Sequence, residues 1–116
     1  MYQVLSLAFL MLQGSANLIG EIGENLANPP FLELETSKRT IDLQLCIADA
    51  VSKELNSSFI PSADGTMLMV THFPWNGYNN VPLIVQFVEG NGQTKLIFTA
   101  ARPYKGKALE NIRRCL

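Results

Sequence analysis

No Lys or Arg precedes Lys38, so the opening stretch of the chain carries only the acidic charge of Glu21, Glu24, Glu33 and Glu35. This removes the positively charged n-region usual in a secretory leader. Charge is scarce throughout: 16% of residues are charged, against about a quarter in an average protein, and the net charge is −1. No global field therefore recruits nucleic acid. The only cysteines are Cys46 and Cys115, and with His72 as the sole histidine they match no zinc spacing, so neither a metal nor a cofactor is expected.

Catalytic punctuation is missing as well. No Ser or Cys stands in a nucleophile setting such as G-x-S-x-G. Gly20-Glu21-Ile22-Gly23 and Gly90-Asn91-Gly92 do not follow a strand and open a helix, as a phosphate loop requires. The apolar run over residues 4–12 stops at Gln13, short of the roughly 20 residues a bilayer span needs, which argues against a membrane segment. With no repeat, low-complexity tract or linker, residues 1–116 read as a single domain.

What is present is apolar: 47% of residues are hydrophobic, enough to bury surface in an oligomer or to receive an apolar ligand. Leu5, Leu12, Ile19 and Leu26 recur every seven residues, a helical stripe. Ala16, Gly20, Gly23 and Ala27 form a second stripe of small residues, where another backbone can approach closely. A single helix of about 26 residues would span roughly 39 Å, more than the roughly 35 Å diameter of a domain this size. One unbroken helix implies a partner chain, whereas two helices divided near Gln13-Gly14-Ser15 fit a monomer. A third reading takes residues 1–16 as a signal peptide, with small residues at Gly14-Ser15-Ala16 for cleavage.

Asn28-Pro29-Pro30 ends this helical region. FLELE over 31–35 alternates like a strand, and 39–55 reads as a helix through Leu43, Ile47, Val51 and Leu55, capped by Ser37 or Thr40 and braced by Asp49 and Lys53. A period-two reading through Ile41, Leu43, Leu45 and Ile47 leaves open a hairpin over 31–46 instead. Asn56-Ser57-Ser58 exits the helix, and 61–65 reads as a turn. Strands follow at 66–71, 81–89 and 94–102, the last two joined across Gly90-Asn91-Gly92-Gln93, with a terminal helix over 105–116. The fold class is α+β: an N-terminal helix or helix pair, a further helix, an antiparallel sheet of three to five strands and a short C-terminal helix. The element order is loosely similar to small cone-like or curved-sheet ligand-binding folds, a likeness that carries no function.

The loop 72–80 is longer than a strand connection needs and gathers the only His, the only Trp, a Tyr and three Asn. Aromatic faces with amide edges suit a ring, a sugar or a peptide, so His72, Trp75, Asn76, Tyr78 and, after the last strand, Arg102 are the candidate ligand contacts. His72 is the one candidate acid or base, and it needs a carboxylate such as Asp42, Asp49 or Glu89 beside it. The basic set Arg102, Tyr104, Lys105, Lys107, Arg113 and Arg114 lacks a nucleic-acid reading motif.

These signals point away from catalysis and toward a small homodimeric binding module. Its expected interface is Leu5, Leu12, Ala16, Ile19, Gly20, Gly23 and Leu26. The alternative is a pocket protein or small enzyme taking an apolar or aromatic ligand beside 72–80. The expected compartment is cytoplasmic, where the cysteines are an inert core thiol and a frayed terminal one; the alternative is export without residues 1–16, where they bridge.

Overall fold

Leu43, Ile47, Val51 and Leu55, spaced by four, are all fully buried, and this single stripe organises the molecule. The computed structural model describes residues 20, 22–62, 64–73, 81–102, 104 and 106–116. The stripe belongs to a helix, Thr40–Val51, and the turn after it, so the helical reading holds over the hairpin alternative. In chain order the elements are α1 (22–27), β1 (Leu32–Thr36), α2 (Thr40–Val51), β2 (Asn56–Pro61), β3 (Met67–His72), β4 (Ile84–Gly90), β5 (Gln93–Thr99) and α3 (Ala108–Arg113). The strands form one antiparallel sheet in the order β1-β5-β4-β3-β2, so the fold is α+β as expected. Residues 1–19 lie outside the described residues, and with them the choice between one N-terminal helix and two.

β1 and β2 are the two edges of the sheet, and α2 connects them across one face. A helix of 12 residues is about 18 Å long, close to the roughly 19 Å that four strand spacings cover. On this inner face the α2 stripe packs on Met69, Leu83, Val85, Phe87, Leu96 and Phe98, and Ala108, Ile112 and Cys115 close the core from the C-terminal side. The outer face carries a second cluster, Leu68, Val70, Val81 and Ile84, with Ile22 of α1 and Ile60 of β2 packed against it. β3 and β4 are thus apolar on both faces, as their sequence patterns require.

The β4–β5 hairpin closes on two residues, Asn91 at φ 54° and Gly92 at φ 75°, with Gly90 paired to Gln93. Positive φ at both positions is what a right-twisted hairpin demands of a two-residue loop, and Asn-Gly supplies it. In the 61–65 turn Gly65 sits at φ 88°, and the Asp64 carboxylate accepts from both the backbone N–H and the hydroxyl of Thr66.

Several boundaries differ from expectation. β2 occupies residues read as a helix exit and a turn; its Phe59 and Ile60 are adjacent and point to opposite faces, so the strand shows no alternation of apolar and polar positions. The meander therefore has four strands, with β1 added beside β5. β4 begins at Ile84, after Pro82, and β5 ends at Thr99. α2 stops at Val51, so Lys53 lies beyond it, and α3 is confined to Ala108–Arg113. The α2 cap is Arg39, without a side-chain bond; neither Ser37 nor Thr40 caps the helix. Instead the Glu89 carboxylate at the end of β4 accepts the Thr40 N–H at 2.7 Å.

Candidate functional site

The antiparallel register gives the sheet two unlike ends. At one end are the C-termini of β3 and β5, the start of β4, and α1. Buried Asn25 of α1 joins this end together: Nδ2 donates to the Val81 carbonyl at 3.1 Å, and Oδ1 accepts the Ala101 N–H at 2.6 Å. Buried Thr71 extends the β3–β4 pairing past the strands, since its N–H and hydroxyl donate to the Leu83 carbonyl and its hydroxyl accepts the Leu83 N–H. The two bases of the 72–80 loop are therefore held together by buried, hydrogen-bonded polar groups.

His72 closes β3 opposite Asn56 and is buried, and Phe73 packs against the inner core. Trp75, Asn76 and Tyr78 lie outside the described residues. Arg102 is exposed beyond β5. The carboxylates proposed to assist His72 are elsewhere. Met67 pairs with Phe87, so Glu89 lies beyond the first residue of β3 whereas His72 is its last. Asp42 pairs with Arg39 at 3.4 Å at the start of α2, and Asp49 is exposed on the same helix, which covers the inner face. By strand alternation His72 belongs to the outer face.

Of the expected interface, Gly20, Gly23 and Leu26 are described, and Leu5, Leu12, Ala16 and Ile19 are not. All three described positions are exposed, and a Cβ built on either glycine would meet nothing within 4 Å among the described residues. Ile22 and Asn25 face the sheet, away from Gly20 and Gly23, and Leu26 lies one turn on from Ile22 at the edge of that contact.

The opposite end of the sheet holds the β2–β3 and β4–β5 turns and the start of α2, and here the chain forms clefts that share Glu89 as a wall. The largest, about 540 Å³, lies between the first turns of α2 (Thr40, Ile41, Gln44), the β2–β3 turn (Asp64, Gly65, Thr66) and the strand ends Met67, Phe87, Val88 and Glu89. Its two carboxyls are held below their ordinary values: Asp64 by the hydroxyl and N–H of Thr66, Glu89 by the N–H of Thr40. Both stay ionised through neutral pH. No sequence signal singled out this end, because its residues come from three separate segments.

The C-terminal segment is tied to α2. Cys46 and Cys115 form a disulfide with their Cα atoms 5.8 Å apart, which corrects the expectation of two inert thiols. The bridge is possible because α2 and α3 lie side by side, as the Asn111 Nδ2 bond to the Ala50 carbonyl shows. Nearby, Glu54 accepts the Tyr104 hydroxyl at 2.9 Å and the Lys107 N–H at 2.9 Å, while burial and the Glu54 carboxylate push the Tyr104 phenol upward from its ordinary value. Tyr104 is thus a structural bracket within the basic C-terminal set. The Lys38 ammonium donates to the Cys115 carbonyl at 2.7 Å, and half-buried Lys95 meets Glu33 at 4.0 Å across the β1–β5 pair.

No protein-family model, curated protein or solved structure matches the chain. Its own geometry is therefore the ground for a functional reading. Among the described residues no group of three His, Cys, Asp or Glu side chains is placed to hold a metal ion, and no helix is long and apolar enough to cross a membrane.

Proposed function

We propose that this chain is a small homodimeric module that works by binding rather than by catalysis, and that its copies associate through α1. The observation that carries this reading is the exposed surface of α1: Ile22 and Asn25 are committed to the sheet, while Gly20 and Gly23 face outward and Leu26, one turn on from Ile22, stays partly in water at the edge of that contact. Leu26 is 42% exposed and Phe31, just past the proline pair, is 46% exposed. A two-fold pairing of such helices lets the glycines bring the backbones close and removes both apolar side chains from water.

Gly23→Leu tests the proposal, because a Cβ at this exposed position has no described atom within 4 Å outside its own helix and chain neighbours. The expected result in sedimentation equilibrium is a dimeric wild type and a monomeric variant with unchanged circular dichroism. A wild type that is monomeric at every working concentration contradicts the proposal.

We further propose that the protein works in an oxidising compartment. The Cys46–Cys115 bridge supports this, since a structural disulfide does not persist against cytosolic thiols. It weighs for the exported alternative over the cytoplasmic expectation. Intact mass and thiol titration of protein from its native source test it; two free thiols there would contradict it.

A further inference from the structure

We propose that the 540 Å³ cleft at the α2 end of the sheet binds an organic cation with an apolar body, an alkylammonium being the simplest case. Its size falls within the range of small-molecule sites, about 300–1,000 Å³. The walls divide by chemistry. Ile41, Met67, Phe87 and Val88 give an apolar floor and side, and Ile41 remains 68% exposed at the mouth. Asp64 and Glu89 stand on the rim as anions, and no Lys, Arg or His is among the lining residues that are described.

The hydrogen bonds of these carboxylates sharpen the ligand class. Asp64 and Glu89 each accept from backbone or hydroxyl groups of Thr66 and Thr40, which fixes their positions without neutralising their charge; Arg39, outside the cleft lining, offsets part of the Glu89 charge. An apolar anion would meet two fixed negative charges, and a neutral apolar ligand would leave the rim unused. A cation with an apolar tail satisfies both parts. The cleft lies at the end of the sheet remote from α1, so its occupancy is independent of the proposed dimer.

The test is a titration of the isotope-labelled full chain with n-octylammonium and, in parallel, octanoate, followed by amide chemical shifts. Saturable shifts confined to Thr40, Gln44, Gly65, Thr66 and Val88 are expected with the cation and not with the anion. Asp64→Asn and Glu89→Gln keep a carbonyl acceptor for the Thr66 and Thr40 N–H groups while removing the charge, so both variants should fold. Each is expected to weaken binding about two- to fivefold, the range for a solvent-screened charge. Equal binding of octanoate, undiminished affinity in both variants, shifts centred on Leu26 and Phe31, or no saturable shift would each overturn the proposal.

Discussion

Asn25 accepts the Ala101 N–H at 2.6 Å although 76 residues separate them, and its amide donates at the same time to Val81. One fully buried side chain thus fastens α1 to the chain on both sides of the β4–β5 hairpin. Asn25→Leu fills the space but leaves a buried carbonyl and a part-buried N–H without this partner. Each unsatisfied group costs about 1–3 kcal/mol, so urea unfolding should show a loss of roughly 2–6 kcal/mol. A loss below about 0.5 kcal/mol would mean that the contact does not anchor the helix.

The disulfide closes a loop with a sequence separation of 69. The chain-entropy relation assigns such a loop about 4 kcal/mol. Replacing both cysteines by alanine should lower the urea midpoint accordingly, and adding reductant should shift the wild type but leave the double variant unmoved.

Acid should weaken the α2 end. Glu89 is held below its ordinary value of 4.5 by the Thr40 N–H, and Asp64 below 3.8 by Thr66. A depressed folded value means that the stabilisation is fully present above the ordinary value and is lost as pH falls through the folded one. Melting temperatures measured from about pH 7 down to pH 2 should therefore fall below about pH 4.5, and Glu89→Gln should reduce that slope by lowering the neutral-pH melt while leaving the acid melt nearly unchanged.

Gly92 at φ 75° closes the β4–β5 turn in the left-handed region. Gly92→Ala should cost about 1–2 kcal/mol by forcing a side chain into that conformation. Thermal unfolding would check it, and an unchanged melt would contradict the turn geometry.

How far the fold was legible depends on how local each signal is. The Asn91-Gly92 turn, the alternation of Leu32–Thr36 and the two-sided β4 are written in neighbouring residues and were readable. α2 was ambiguous because Ile41 and Leu45 mimic a strand period with Leu43 and Ile47; they are 68% and 87% exposed, and only the 43/47/51/55 stripe is core. β2 escaped notice because Asn56, Ser58 and Pro61 are exposed and its two large apolar residues are consecutive. The Glu89 cap, the Asn25 clamp and the cleft depend on partners 49 to 76 residues away, for which single-sequence periodicity has no signal. Of the expected ligand loop and its flanks, His72, Phe73 and Val81 are described, and their end of the sheet is not the end that forms the largest cleft described.

The central claim is that an α1 with one face on the sheet and a small, apolar face outward brings two copies together. Light scattering of the oxidised wild type, diluted stepwise through the micromolar range, tests it most directly. The account predicts a mass near twice the 12.8 kDa of one chain, falling toward a single chain on dilution or with Gly23→Leu. A mass of one chain at every concentration, unchanged by that substitution, would contradict it.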